Sequence, residues 1–288
     1  MELLVANQST RLYTVTYPNA GKETVILLHG GPGVPDGLEP VAELLHQNYQ
    51  VITFHQRGTL SSPCYANKYT VERYLSDIDS IAERFKLEKF HLFGHSWGGL
   101  YAQLYAYQNP QRIRSLFLCS PASGTGGQWR ETVAEVIAFN KRKSTGKEWY
   151  SMIKNGILGV LGSDSAYEKL FTQFCLNINK GYEVSNPVPV MVDHIVARAI
   201  NKTNVALLKE PILEPMVDQG FKVTITYGED DIFGDSMRYV KERYPYAQFE
   251  TIPTSGHFPW LHNPEVFNET LKSHFSIAHA SPDKVTSQ

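Results

Sequence analysis

Residues Phe93–Gly99 read Phe-Gly-His-Ser-Trp-Gly-Gly, which places Ser96 two residues from Gly94 on one side and Gly98 on the other. A G-x-S-x-G run between a strand and a helix is the pattern of a nucleophile elbow, a turn too tight for side chains at the flanking positions. Lys89–Phe93 has the aromatic and apolar residues of a short buried strand, and Leu100–Tyr107 continues in helix-compatible residues. The Ser96 hydroxyl would then project from the turn at a helix N-terminus, where free N–H groups and the helix dipole favour developing negative charge. The chemistry open to such a serine is acyl transfer, provided that a base can take its proton and a third group can hold that base in place.

Both partners should follow the serine in the order acid, then histidine, each just after a later strand. The predicted strand Phe221–Tyr227 is followed by Gly228-Glu229-Asp230-Asp231, and the predicted strand Ala247–Ile252 by Pro253-Thr254-Ser255-Gly256-His257. Of 10 histidines, only His257 lies in a glycine-flanked loop directly after the last predicted strand, which makes it the candidate base. Glu229, Asp230 and Asp231 all stand in the acid's loop. Asp231 is preferred to Asp230 because it lies farther from the strand end and can turn inward. An oxyanion needs N–H donors. One is expected from Trp97, next after the serine. The other is expected from Gly31 in the loop His29-Gly30-Gly31-Pro32-Gly33, where Gly30 and Gly31 let the backbone approach a substrate closely. His29 reads as a structural residue of that loop, and the Trp97 ring is expected to pack under a helical insertion.

The elements that must position these groups alternate. Leu3–Ala6 and Leu12–Tyr17 suit paired strands, the second an edge strand, and Thr24–Leu28 a strand buried on both faces. Helix at Glu39–His46, strand at Gln50–Phe54, helix at Thr70–Phe85 and strand at Arg114–Cys119 follow. Such alternation gives a largely parallel sheet flanked by helices, whose sites gather at the carboxyl ends of the strands. From Pro121 to Pro215 the pattern turns helical. Trp129, Val133, Val136 and Ile137 share one face, and Trp149, Met152, Ile153 and Ile157 another. Ser165–Glu168 reads as a capping box, and a further helix is expected near Val190–Ile200. Ser123–Gly127 reads as a flexible hinge into this insertion. A helix at Asp235–Tyr244 and a closing helix at Pro264–Phe275 complete the pattern, with a frayed tail over Ala278–Gln288. The division is a core of residues 1–120 and 216–288 around a helical cap of 121–215.

With a formal net charge of −2, the chain offers no basic surface for nucleic acid or polybasic anchor for a membrane. Three widely spaced cysteines and no visible secretory signal point to a reducing, cytoplasmic setting. No H-E-x-x-H is present, and His91 with His95 has no third ligand in spacing, so neither metal nor cofactor is expected. The expected partner is a small molecule or short peptide, and the oligomeric state is open.

On these motifs the chain resembles the α/β-hydrolases, and among them the proline iminopeptidase group. His29–Gly33 matches that group's oxyanion loop. Gln56-Arg57-Gly58 with Ser61-Ser62 is similar to its Asp-Gln-Arg-Gly-x-Gly-x-Ser segment, and Gly94–Gly99, Gly228–Asp231 and Gly256-His257 match its triad motifs. The resemblance implies Ser96 as nucleophile, His257 as base, Asp231 as acid, an acyl-enzyme, no cofactor, and removal of an amino-terminal residue, often proline. The departures are His55 in place of Asp, Thr59-Leu60 near the second glycine, Ile232 after Asp231, and an insertion without a Trp-x-x-Trp-Glu pattern. An aminopeptidase must pair its substrate's ammonium with carboxylates, and Asp193 and Glu210 are the candidates in the insertion. Hydrolysis of esters, lactones or carbon–carbon bonds by the same triad is the competing expectation, and a small-molecule receptor with vestigial hydrolysis a more distant one.

Overall fold

The computed structural model describes residues 1–8, 10–35, 37–189, 192–217 and 220–275. The strands are β1 (Glu2–Asn7), β2 (Thr10–Tyr17), β3 (Thr24–Leu28), β4 (Gln50–Phe54), β5 (Phe90–His95), β6 (Ile113–Cys119), β7 (Lys222–Gly228) and β8 (Gln248–Ile252). They form one sheet in the order β1-β2-β4-β3-β5-β6-β7-β8. The first two pairings, β1 with β2 and β2 with β4, are antiparallel; every later one is parallel. The strand expected at the edge, β2, therefore lies one place in, with β1 outside it. All five residues of β3 and all six of β5 are buried, which is why these runs read as continuous apolar segments rather than alternating ones.

The helices are α1 (Glu39–His46), α2 (Val71–Arg84), α3 (Trp97–Gln108), α4 (Gly127–Lys143), α5 (Gly146–Val160), α6 (Asp164–Ile178), α7 (Ala197–Lys209), α8 (Met237–Arg243), α9 (Pro259–His262) and α10 (Pro264–Phe275). Helix α3 packs on β3, β5 and β6 and is buried nearly all round, as a helix with no polar face must be. Between β6 and β7 the described residues hold only helices, α4 to α7, and a short 3-10 turn at Val192–His194. Among the described residues no helix is long and apolar enough to cross a membrane.

Three local expectations change. The run Ser123–Gly127 is no loose hinge. Ser123 and Thr125 are buried, Gly126 N–H donates to the Leu207 carbonyl at 2.8 Å, and Thr125 Oγ1 donates to that of Pro211 at 2.5 Å. A polar run buried at a chain crossing must have its backbone groups satisfied, and here helix α7 and its exit supply the acceptors. Helix α6 is capped by Ser163, whose Oγ accepts from Ala166 N–H, and the capping box belongs instead to Thr145 and Glu148 at α5. Proline-rich sequence delays the last insertion helix to Ala197, from which it runs on to Lys209; Val190, part of the expected span, lies outside the described residues. The tail Ala278–Gln288 is likewise outside them.

The loop after β4 is pinned by a buried ion pair. Arg57 meets Asp77 of α2 through Nε–Oδ2 at 2.7 Å and Nη2–Oδ1 at 2.6 Å, and Asn7 Nδ2 donates to the same carboxylate at 2.7 Å. Burial pushes the Asp77 carboxyl up to about 6, with Arg57 and Asn7 opposing the rise, so the pair is ionised at pH 7. Arg57 also donates to the carbonyls of Lys68 and Arg73. Asp77→Ala leaves that guanidinium buried and unpaired, and is expected to lower the urea-unfolding free energy by about 3–5 kcal/mol.

Candidate active site

The chain visits β3, crosses to β4 on one side, and returns to β5 on the other. The strand order reverses between β3 and β5, which is where sheets of this kind open a crevice at their carboxyl ends. The His29–Gly33 loop leaves β3 at this point and Ser96 leaves β5 beside it. Ser96 has φ 54° and ψ −119°, a backbone conformation that L-residues rarely adopt. Its neighbours explain how the turn closes. A Cβ on Gly94 would overlap the Gly98 carbonyl, and one on Gly98 would overlap that of Leu28. The turn is further tied by Ser96 N–H to the Cys119 carbonyl at 3.1 Å, and Ala122 N–H to the Ser96 carbonyl at 2.9 Å.

The loops after β7 and β8 run side by side, with Glu229 N–H on the Ile252 carbonyl at 3.0 Å and Asp230 N–H on that of Ser255 at 2.9 Å. This geometry sorts the three carboxylates. Glu229 accepts from Thr254 N–H at 3.0 Å, and Asp230 turns out to the insertion and pairs with Lys143 Nζ at 2.5 Å. Asp231 turns inward, and its Oδ1 accepts from His257 Nδ1 at 3.0 Å and from Phe233 N–H at 3.2 Å. Burial raises the Asp231 carboxyl, but the His257 imidazole beside it outweighs that and holds it below the usual carboxylate value. With Nδ1 donating to Asp231, the Nε2 edge of the ring is the one available to act as a base.

Ser96 and His257 line one cavity of about 260 Å³, together with Gly30, Gly31 and Trp97. The remaining wall is mostly apolar and comes largely from the insertion, with Val133, Val136, Leu170, Phe171 and Phe174 prominent. No Asp, Glu, Lys or Arg lines this cavity among the described residues. The two carboxylates proposed to hold an ammonium lie elsewhere. Asp193 is largely exposed on the 3-10 turn, 3.7 Å from His194 Nε2, and Glu210 closes the end of α7. Both sit at helix ends, Glu210 partly buried so that its carboxyl is raised, and neither lines the cavity at Ser96.

Four positioning residues escape sequence reasoning or are given no role by it. Gln56 Nε2 donates to the His29 carbonyl at 2.8 Å while its Oε1 accepts from Trp97 Nε1 at 2.7 Å, so one amide joins the β3 loop to the elbow helix. His29 Nε2 accepts from Gln56 N–H at 3.2 Å, which leaves Nδ1 to donate to the Gly30 carbonyl at 2.8 Å. The Trp97 ring packs edge-on to Tyr74 of α2 and stacks on Tyr101, rather than lying wholly under the insertion, because Gln56 draws its N–H toward β4. His262 Nδ1 accepts from Gly256 N–H at 2.9 Å, its Nε2 donates to Asn179 Oδ1 at 2.7 Å, and its ring stacks on Tyr182 at 3.8 Å. Burial pushes the His262 imidazole down to about 4, so it stays a neutral acceptor at pH 7. His95 Nε2 donates to the His257 carbonyl at 3.0 Å, fixing the histidine loop from the elbow side. The signals in the sequence were the Gln-Arg-Gly run at Gln56 and the His-Gly-Gly-Pro-Gly loop, in which His29 was read as structural; His95 and His262 carry none.

Comparison with known proteins agrees with this fold. The profile of the alpha/beta hydrolase fold matches residues 23–264. A proline iminopeptidase of Lactobacillus helveticus is 30% identical over 133 residues, which are 44% of this chain and 45% of that protein, so the chain aligns with less than half of its length. A carboxylesterase structure from Nitrososphaera gargenis superposes with a TM-score of 0.71 at 17% identity, covering 96% of this chain and 98% of that one. An enol-lactonase from Burkholderia xenovorans LB400 superposes with a TM-score of 0.66 at 14% identity, covering 95% and 100%.

Proposed function

This chain belongs to the alpha/beta hydrolase fold family, and we propose that it is a serine hydrolase of uncharged carboxylic esters. In this reading His257 Nε2 takes the Ser96 proton as Oγ attacks the ester carbonyl. Asp231 holds the imidazole in the required tautomer and offsets the imidazolium charge. The N–H groups of Gly31 and Trp97 receive the oxyanion; neither donates to a protein acceptor among the described residues. His257 returns the proton to the leaving alcohol, and water then repeats the sequence on the Ser96 acyl-enzyme.

The observation that carries the choice of substrate is the cavity wall. It surrounds Ser96 with largely apolar groups and, among the described residues, presents no Asp, Glu, Lys or Arg. A free substrate ammonium would be buried there unpaired, whereas an ester and its hydrocarbon part are not penalised. The aminopeptidase reading keeps one specific support, the 30% identity to a proline iminopeptidase. Lactones and carbon–carbon substrates would use the same groups. A cytoplasmic location goes with the proposal, supported by the small number and wide spacing of the cysteines in the sequence.

Assay of the purified protein on p-nitrophenyl butyrate and on proline β-naphthylamide separates the two readings. The ester is expected to be turned over at least a hundredfold faster in kcat/KM. Faster release of naphthylamine would overturn the ester reading in favour of the aminopeptidase.

A further inference from the structure

The insertion contains a second cavity, of about 610 Å³, between helices α4, α5 and α6. It adjoins the space beside Ser96, and eight residues, Val136, Leu170 and Phe171 among them, line both. Its own wall adds Trp149, Met152 and Ile153 from α5, and it reaches the surface where Ile157, Val160 and Leu161 are 58%, 66% and 78% exposed. An apolar trough of this kind is costly to leave in water, and it shares a wall with the cavity that holds Ser96 rather than standing apart from it.

We infer that this trough is the acyl-chain subsite of the enzyme, and that its occupant is the long unbranched hydrocarbon chain of a fatty ester whose carbonyl lies at Ser96. The inference rests on the ester reading above. It follows from the shared wall and from chemistry. A short acyl group fills only the space near Ser96, whereas a longer chain would pass between the shared apolar side chains into the trough between α4, α5 and α6 and cover its exposed rim. Each methylene withdrawn from water in this path is worth roughly three- to fourfold in affinity.

Gly156 gives the means to test this. It lies on α5 in the wall of the second cavity and does not line the cavity at Ser96. A Cβ built there meets only Leu170 Cδ2, at 4.0 Å, so a side chain has room to enter the trough. Replacing a glycine inside a helix also favours the helix, so the fold is expected to survive.

The test is the ratio of kcat/KM for p-nitrophenyl dodecanoate to that for p-nitrophenyl butyrate. The wild-type ratio is expected to exceed ten, to fall at least tenfold in Gly156→Phe, and to fall by less in Gly156→Leu. Equal loss on both esters, or a wild-type preference for butyrate, overturns the subsite while leaving the hydrolase reading intact. If the wild type cleaves no ester, that reading fails, and calorimetric binding of dodecanoic acid to Ser96→Ala decides the trough on its own. Binding weakened at least tenfold by adding Gly156→Phe supports the subsite; no binding, or unchanged binding, overturns it. A dimer in sedimentation that Gly156→Phe dissociates, with the ester ratio unmoved, would give the trough to a second copy and also overturn the inference.

Discussion

Replacing Ser96 by alanine is expected to lower kcat/KM on p-nitrophenyl butyrate by a factor of about 10⁵ to 10⁶, the loss seen when a triad serine is removed elsewhere. The residual rate would come from the oxyanion donors and from binding, which the substitution leaves in place. The stability arm is as informative as the kinetic one. Ser96 sits at φ 54°, and its N–H and carbonyl anchor the turn to Cys119 and Ala122 through backbone alone. Alanine keeps the Cβ and therefore the strain, so its melting temperature should stay close to that of the wild type. Glycine removes the Cβ, and Ser96→Gly should be as inactive as the alanine variant yet more stable by about 1 kcal/mol. A serine kept in a conformation that glycine adopts more easily is a serine retained for its hydroxyl.

The second large effect is expected at Asp231. Asp231→Asn should reduce kcat on the same ester by about 10⁴-fold, because an amide can donate to Nδ1 and so stabilise the wrong imidazole tautomer. Asp230→Asn, one residue away, should change kcat less than twofold. Its carboxylate is 45% exposed and bonded to Lys143 on α4, a pair of the kind that contributes little. The pH dependence follows from the sign of the shift. The folded-state value of Asp231 lies below its unfolded one, so its contribution to stability is present above the unfolded value and is lost as pH falls through the folded one. The asparagine variant should lack that component of acid sensitivity, which urea midpoints followed from above the ordinary aspartate value downward into the acid range would read. Equal kinetic losses in the two variants would remove Asp231 from the proposed triad.

The order of the candidate residues was legible in the sequence because it depends on short-range features. A strand followed at once by Gly-His-Ser-Trp-Gly, a strand followed by Gly-Glu-Asp-Asp, and a strand followed by a loop ending in Gly-His state their own positions. The selection among Glu229, Asp230 and Asp231 was not so local. It is made by Thr254 N–H from the neighbouring loop and by Lys143 from the insertion, which occupy the first two carboxylates and leave the third facing His257. Gln56 was visible only as part of a motif, since its work is to join two loops far apart in the chain.

The insertion shows the limit more sharply. Periodicity marked the apolar faces at Trp129–Ile137 and Trp149–Ile157 correctly, but a period reports which face is apolar and not what that face meets. Here those faces line adjoining cavities instead of closing on one another. For the same reason Asp193 and Glu210 were drawn toward a cavity that they do not line. Their charge was readable, but their place in the fold was not.

The central claim is that Ser96 is the nucleophile of this fold. Incubation with a fluorophosphonate, followed by intact mass and peptide mapping, tests it most directly. The account predicts a single phosphonyl adduct, located on Ser96, that forms together with loss of esterase activity and is absent from Ser96→Ala. An adduct on a different serine, or ester turnover that persists in Ser96→Ala, would contradict it.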